Sequence, residues 1–560
     1  MPTADSEEAG AQRRRLRPPA LLVAGSAVAA LFFLASQARR LYFFGDDWAF
    51  LLSRSLEWPE LMEPHNEHWS TLPLISFRIM FHVFGIDHYL AYALLAILLH
   101  LACCVLLYLL MRRSEVPAWP AALCIVPVMF LCGNIGENPL WDFQIGFLGS
   151  AALGLVALHL VHEDSRSLLV GAWLVTVASL MCSGMALPMV GWLGAYVLVS
   201  RGLTRALVST VPPMLVYLAW MLWFGREAQS QQTSPTPDQV VEFTATGLAL
   251  VWQEMLRLPG IGGAVLIGLA AFTLLGRLKD AQRRLALSGM MTVVAMYLLL
   301  ALARAGLGAQ VAGASRYTYF GVLLTLPAFA LVISRVSELL GERRLHRVVA
   351  GALLVVLLVG NGVAQTLAFT DGRTQLTGDL KPRLLATERL IADDEHFLAQ
   401  QPSLPYNPDI TVEALSRPEI RAALPQDPVT PAQLLDASAV LQVAASADGF
   451  DLPPATDLEL HGVEGTVVTG GCADLRADRG AWVDLPPSAG GSQVQLTTSA
   501  ESYPSQLLAG KLASVPVVLT TTPQTATYVA TTSTRGTLRV NLPTGRVQLC
   551  LPGATSIADQ

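Results

Sequence analysis

Long apolar segments fill the first two thirds of the chain, and they constrain its fold more than any other feature. A membrane-spanning helix needs about 20 mostly apolar residues. Eleven segments meet this pattern, at 19–38, 86–111, 118–133, 145–161, 167–182, 185–200, 204–224, 260–276, 284–302, 318–335 and 347–369. Only 14% of the 560 residues are charged, against about 25% in a soluble protein. The sequence therefore predicts a polytopic α-helical membrane protein with about eleven spans, and it excludes a wholly soluble or disordered chain.

Basic residues orient these segments. Arginines precede the first segment, within residues 1–18, and follow the second at Arg112 and Arg113. Later basic residues mark every second connection, at Arg166, Arg201, Arg205, Arg277, Lys279, Arg283, Arg284, Arg343, Arg344 and Arg347. Positively charged connections stay in the cytoplasm, so we expect a cytoplasmic N-terminal tail (1–18) in a cell-membrane protein. An odd number of spans then places the C-terminal region outside the cytoplasm.

With this orientation, the connections rich in acids, His, Trp and Arg all lie on the outer side. They occupy residues 42–72, 133–144, 182–188, 225–259 and 303–317. Loops held by a rigid scaffold are where binding and catalytic residues concentrate, so the sequence predicts a functional site at the outer membrane face. No nucleic-acid partner is expected, because the sequence has no basic stripe.

The C-terminal region changes character twice. Residues 371–455 are polar with amphipathic stretches, which predicts a mixed helical linker region. Across 456–560, short β-rich segments alternate with turn residues, and this spacing favours an extracytoplasmic antiparallel β-sandwich. Outside the cytoplasm, Cys472 and Cys550 of this region can form a disulfide bond.

The first outer loop carries an adjacent acidic pair, Asp46 and Asp47, directly after a predicted span. Carboxylates close to lipid are costly and are usually functional or paired. Two neighbouring carboxylates suit a general base together with a cation ligand. The residues alone leave open a second interpretation, in which aspartate caps the start of a loop helix.

A His-Asn-Glu-His stretch follows in the same loop. The spacing of His65 and His68 would place both on one helix face, where they could bind a metal. Glu67, or one carboxylate of the acidic pair, could be the third ligand. Zinc sites follow stricter spacing than this. We therefore favour a hydrogen-bonding cluster that contacts substrate, with ordinary loop polarity as the alternative.

Two later outer loops add aromatic, amide and cationic side chains. Glu137, Trp141 and Gln144 could share one face of a short turn for sugar recognition, or Trp141 could be an interfacial anchor. Arg304 and Arg316 are cations on the outer side, against the general charge trend. Arginine grips phosphate through a bidentate fork, so a lipid phosphate or pyrophosphate suits them. Headgroup contact or a salt bridge to an outer acid is the alternative.

Together these motifs resemble the bacterial GT-C glycosyltransferases, polytopic membrane enzymes that use polyprenyl-phosphate sugars as donors. The residues that carry the resemblance are Asp46, Asp47, His65, Glu67, His68, Glu137, Asn138, Trp141, Gln144, Arg316, Tyr317 and Tyr319. The resemblance covers most of residues 20–370. It implies a GT-C-like transmembrane domain over 19–370, with catalytic outer loops.

The resemblance also implies roles for individual residues. An acid of the first outer loop, Asp46 or Asp47, acts on the acceptor as general base or orients it, and the sequence does not separate the two. An outer-loop arginine near a late span, here Arg316 beside Tyr317, holds the donor phosphate. Some members use a divalent cation such as Mg²⁺ or Mn²⁺, for which Asp46 and Asp47 are the candidate ligands. The pair is adjacent rather than spaced as in several members, which leaves metal use and acceptor class open.

The implied reaction is inverting transfer of a sugar, a hexose or pentose, from the polyprenyl-phosphate donor to an envelope glycan, lipid or protein. The first alternative is a transporter or flippase of envelope lipids, which would need charged or broken spans near the bilayer midplane. The spans here are nearly free of charge. The second alternative is a non-catalytic glycan-binding membrane scaffold, which leaves the acidic pair and Arg316 without a purpose.

Overall fold

The computed structural model describes residues 18–130, 137–163, 165–227, 234–340, 344–402, 407–468, 471–520 and 522–551. Residues 1–17 of the predicted cytoplasmic tail with their arginines, the start of the second outer loop (133–136) and Arg343 lie outside these residues. The chain divides into two compact units. The first comprises Met1–Phe43, Arg54–Phe84 and His88–Leu376, and the second comprises Phe44–Ser53, Gly85–Asp87 and Thr377–Gln560.

The regular secondary structure of the first unit is helical within its described residues. Its α-helices are α1 (Pro18–Ala38), α2 (Trp58–Met62), α3 (Thr71–Phe84), α4 (Tyr89–Arg113), α5 (Ala118–Phe130), α6 (Ile145–Val161), α7 (Arg166–Leu180), α8 (Ala186–Arg201), α9 (Leu203–Trp223), α10 (Pro237–Leu256), α11 (Gly262–Leu275), α12 (Asp280–Arg304), α13 (Ser315–Leu339) and α14 (Arg344–Thr377). Each of the eleven apolar segments in the sequence corresponds to one of these helices, because apolar composition over such lengths satisfies backbone hydrogen bonds only as helix in lipid.

Seven helical stretches of the described chain are long and apolar enough to cross a membrane, namely Pro18–Ala38, Tyr89–Arg113, Asp142–Val161, Leu203–Trp223, Asp280–Leu307, Ser315–Leu339 and Val348–Ala392. They indicate a multi-pass membrane protein. The expected count of eleven spans is not confirmed, because other apolar helices are shorter. For example, α11 has 14 residues, which makes it about 21 Å long at about 1.5 Å per residue. That is less than the roughly 30 Å hydrocarbon core.

The second unit combines short helices with one large sheet. The helices are α15 (Leu380–Ala392), α16 (Val412–Ser416), α17 (Pro418–Ala423) and α18 (Pro431–Leu441). The strands are β1 (Val443–Ser446), β2 (Glu459–Val468), β3 (Cys472–Leu485), β4 (Ser492–Thr497), β5 (Ser502–Ala509), β6 (Leu512–Ala513), β7 (Val517–Thr520), β8 (Ala526–Thr531), β9 (Thr537–Asn541) and β10 (Gly545–Cys550).

All ten strands join a single sheet in the order β1-β8-β4-β10-β3-β9-β5-β6, with β2 on β3 and β7 on β5. Every pairing is antiparallel. The predicted β-sandwich is therefore not confirmed, and the strands form an antiparallel half-barrel. The physical reason is the length of β3, which has 14 residues. Its first half pairs with β10 and its last residues pair with β9, so it joins strands that could otherwise form two sheets.

The helical segment before the sheet belongs to the same compact unit from Thr377 onward. Leu435 and Ala439 of α18 are buried in the apolar core cluster of the sheet, and β1 pairs with β8. A disulfide bond joins Cys472 and Cys550, which are directly opposite each other on β3 and β10.

Candidate functional site

The two carboxylates of the acidic pair have different environments. Asp47 is fully buried, with 0% of its surface exposed, and its carboxylate Oδ2 accepts a hydrogen bond from the Phe44 N–H at 2.7 Å. Asp46 is only half-buried. Gly45, which directly precedes the acidic pair, adopts a φ of 59°. This left-handed conformation costs glycine little. Asp47 therefore fixes the turn, and Asp46 is the more accessible carboxylate.

Side chains from the C-terminal region hold this acidic loop, residues 44–53. Asn407 is buried, and its side-chain oxygen accepts a hydrogen bond from the Gly45 N–H at 2.9 Å. The Arg417 guanidinium donates to the Leu52 carbonyl oxygen. The sequence analysis placed the acidic pair in the transmembrane domain, whereas the structure assigns 44–53 to the second compact unit. Asn407 and Arg417 escaped the sequence analysis because their partners lie more than 350 residues away in the chain.

The His-Asn-Glu-His stretch forms a tight turn, so the predicted helix face for the two imidazoles is wrong. The His65 N–H donates to the His68 carbonyl oxygen at 3.0 Å, and the His68 N–H donates to the His65 carbonyl oxygen at 2.9 Å. Asn66 has a left-handed φ of 52°, which asparagine tolerates better than most residues. Residues directly opposite in an antiparallel bridge project to the same side, so His65 and His68 remain neighbours through the bridge.

Glu67 of this turn forms an ion pair with Arg304 at the end of α12. Their side chains are 23% and 12% exposed, respectively. The structure thus supplies the salt bridge to an outer acid that the sequence analysis left as the alternative for Arg304. The pair ties the first polar connection to the fifth.

The two imidazoles of the turn contact two further polar connections. The His65 ring lies 5.3 Å from the Phe143 ring and the His68 ring lies 5.8 Å from the Phe147 ring, both measured between centroids. A Cβ atom on Gly184 would lie 2.7 Å from His68 Nδ1, so only glycine allows this close approach. Four of the five polar connections predicted from the sequence therefore meet around one turn.

Stacked indoles anchor the same loop to the helices. The Trp69 and Trp220 rings stack with centroids 5.1 Å apart and planes at 3°. Trp220 Nε1 donates to the Met62 carbonyl oxygen at 2.8 Å. Met62 and Trp69 lie on either side of the His65–His68 turn, and both contact Trp220 of α9. The turn therefore has a rigid support.

The predicted site residues of the second polar connection differ in how deeply they are buried. Glu137 and Trp141 are half-buried, whereas Gln144 is buried at the start of the helix that continues as α6. Asn138 is fully buried, and its amide atoms have no hydrogen-bond partner in the described part of the chain. Arg373 lies with Cζ 5.3 Å from the Trp141 ring centroid. Its distance from the polar connections in sequence hid it from the sequence analysis.

Arg316 lies in the first turn of α13, and it is half-buried. Its Cζ is 5.0 Å from the ring centroid of Tyr317, which is itself buried. Unlike Arg304, it pairs with no carboxylate within the described ranges. The first turn of a long helix also carries a positive dipole end, although the Tyr317 and Thr318 N–H groups of α13 already donate to the Ala314 carbonyl oxygen. This combination suits an anion such as phosphate.

Carboxylate and imidazole ligand atoms lie within 4.8 Å of one another in a cluster of Glu459, His461 and Asp484. Both Asp484 oxygens accept hydrogen bonds from the Arg539 guanidinium, at 2.8 and 2.7 Å. Hydrogen bonding to Asp484 also raises the pKa of Arg539. Because a fixed guanidinium already neutralises the buried carboxylate, this cluster does not fit a cation. Cation binding by the acidic pair of the first loop stays a prediction.

No family model and no curated protein sequence matches the chain. Two similar solved structures are oligosaccharyltransferases of the archaeon Archaeoglobus fulgidus. One, in complex with Zn and sulfate, is 14% identical with a TM-score of 0.34, over 61% of this chain and 53% of its own. The other, AglB in complex with an inhibitory peptide and a dolichol-phosphate, is 12% identical with a TM-score of 0.33, over 61% and 56%. The chain thus spans about half the length of these proteins.

Proposed function

We propose that the chain is a membrane glycosyltransferase that moves a sugar from a polyprenyl-phosphate donor to a cell-envelope acceptor at the extracytoplasmic face. The observation that carries this proposal is the convergence of polar connections on the His65–His68 turn. The Glu67–Arg304 pair and the contacts of both imidazoles join loops that are far apart in sequence. Such a polar cluster at the ends of apolar helices suits chemistry on a lipid-linked substrate.

Arg316 is the residue we assign to the donor phosphate. Its guanidinium and the N-terminal end of α13 together neutralise charge as the phosphate leaves. Arg304 is already paired with Glu67, so its role is to position the His turn. The imidazoles of His65 and His68 then serve as hydrogen-bonding groups for the sugar.

Asp46 is the residue we assign as general base. The acceptor hydroxyl oxygen attacks the anomeric carbon, the bond from that carbon to the phosphate oxygen breaks, and the phosphate leaves with the electron pair. The hydroxyl proton passes to the Asp46 carboxylate, and the configuration at the anomeric carbon inverts. Asp47 and Asn407 position the loop through their hydrogen bonds to Phe44 and Gly45. A divalent cation, where used, would be held at the acidic pair and would add charge stabilisation to the leaving phosphate.

The test is sugar transfer by the purified chain in nanodiscs, supplied with radiolabelled polyprenyl-phosphate sugars and a cell-envelope extract. We expect wild-type transfer, and its loss in Asp46→Asn and in Arg316→Ala. Glu242→Gln is the matched control, because Glu242 is an exposed carboxylate on α10 with no assigned role. Its activity should equal that of the wild type.

The outcomes separate this proposal from its competitors. Transfer that survives both substitutions would refute the site assignment while keeping the reaction. Absence of transfer from every donor, with movement of the lipid-linked sugar between leaflets in proteoliposomes, would favour a transporter. Absence of both, with binding of envelope glycan to the full chain, would favour a scaffold.

A further inference from the structure

A basic pocket of about 180 Å³ lies in the first unit, where the ends of four helices α6 to α9 meet. Its lining includes Glu163, Ser165, Arg166, Arg201, Arg205 and Ser209. These residues lie in or beside two connections that the charge pattern predicts to be cytoplasmic. The proposed glycosyl transfer uses none of them.

The pocket gathers arginines from three helices. Arg166 is the first residue of α7, Arg201 is the last residue of α8, and Arg205 lies in the first turn of α9. Arg201 also donates to the His162 carbonyl oxygen at 2.9 Å, which fixes its side chain at the rim. Three arginines and one carboxylate, Glu163, are in the described lining.

The neighbouring imidazole of His162 lies within the influence of these charges. Burial lowers the pKa of His162 first, and the positive charges of Arg113 and Arg201 lower it further, whereas Glu163 raises it. His162 lies just beyond the apolar stretch that ends at Val161. Arg113 and Arg201 thus lie close enough to His162 to act on its charge.

An apolar surface continues from the pocket along two helices. Leu169 of α7 and Val208 of α9 line the pocket. Beyond them, Leu174 of α7 is 67% exposed, and Val211 and Leu215 of α9 are 42% and 59% exposed. A basic pocket at the end of exposed apolar helix faces matches a molecule with an anionic head and apolar chains.

We infer that this pocket binds the head group of an anionic phospholipid, with Arg166, Arg201 and Arg205 around its phosphate and the acyl chains along α7 and α9. Guanidinium forks bind phosphate oxygens, and basic pockets between spanning helices on the cytoplasmic side bind anionic head groups. Free inorganic phosphate would meet the same guanidinium groups but would leave the adjoining apolar faces uncovered. The lipid satisfies both features. This inference is independent of the proposed glycosyl transfer.

Native mass spectrometry of the detergent-purified full chain tests the inference, with phosphatidylglycerol and phosphatidylcholine of identical acyl chains as probes. We expect retention of phosphatidylglycerol at several-fold lower concentration than phosphatidylcholine. Each of Arg166→Gln and Arg205→Gln should weaken phosphatidylglycerol binding about fivefold, the effect of one basic residue near an anionic lipid surface. Arg201 is left intact because it also bonds the backbone.

Arg335→Gln is the matched control, because Arg335 is an exposed arginine whose partner is Glu338 on its own helix. It should bind phosphatidylglycerol like the wild type. Equal retention of the two lipids, or equal weakening in the control, would overturn the inference. Release of the bound lipid by millimolar inorganic phosphate would show that the pocket recognises only the phosphate group. That result would overturn the assignment to a lipid. Each variant is compared with the wild type by gel filtration, which separates lost binding from lost folding.

Discussion

The Glu67–Arg304 ion pair offers the sharpest test of how the polar connections are held together. The perturbation is a double-mutant cycle with Glu67→Gln, Arg304→Gln and the combined variant. If the pair is a structural link, each single substitution leaves one charge in a mostly buried position. The combined variant removes both charges, so its cost should equal about that of one single substitution and not the sum of the two.

The magnitude follows from the burial of the two side chains. Exposed ion pairs contribute about 0–1 kcal/mol, and removing one partner of a fully buried pair costs about 3–5 kcal/mol. Glu67 and Arg304 are 23% and 12% exposed, which places them between these limits. We expect each single substitution to lower the free energy of unfolding by about 2 kcal/mol, and the cycle to give a coupling free energy of about 2 kcal/mol.

The assay is equilibrium unfolding of the purified chain in mixed micelles, followed by tryptophan fluorescence. Arg40 and Asp371 form the control pair, because their side chains are 44% and 58% exposed. The same cycle there should give a coupling free energy below about 1 kcal/mol. A Glu67–Arg304 coupling no larger than that of the control would refute the reasoning. It would return Arg304 to the list of candidate phosphate ligands.

Three further predictions concern the supports of the site. Asn407→Ala should speed hydrogen exchange of the backbone amides in residues 44–53, because the loop loses a buried acceptor worth about 1–3 kcal/mol; unchanged exchange would contradict the assigned contact. Reduction of the Cys472 disulfide, which closes a separation of 78 residues, should lower the free energy of unfolding by about 4 kcal/mol, measured with and without reductant. Gly184→Ala should cost about 1–3 kcal/mol by overpacking, since its Cβ would lie 2.7 Å from His68 Nδ1. In the same unfolding assay Gly268→Ala, which has open space around it, should cost nothing.

The helices of the first unit could be read from local composition. Each apolar segment forms a helix because its backbone must satisfy its own hydrogen bonds in lipid. The number of membrane spans could not be predicted from local composition. Helix ends depend on packing and on caps, and a 14-residue helix such as α11 and a full-length span look alike in a hydropathy pattern.

For the candidate site too, some features could be predicted from the sequence and others depend on tertiary contacts. Asp46, Glu67 and Arg316 stand out in the sequence because charged residues beside apolar spans are costly. The distinction between the two aspartates needed their burial, since Asp47 accepts the Phe44 N–H and Asp46 does not share that environment. The turn at Asn66 replaces the expected helix, and His65 and His68 are neighbours through an antiparallel bridge instead of along one helix face.

The sequence by itself determined that this is a helical membrane chain with a β-rich C-terminal region and polar connections of unusual chemistry. These properties follow from composition and local periodicity, which act within a few residues. Only the tertiary structure decided that Glu67 pairs with Arg304, that the acidic loop belongs to the same unit as Asn407, and that β3 merges the strands into one sheet. The physical reason is that such contacts join residues far apart in the chain, and their energy depends on distance and burial, which no local pattern encodes.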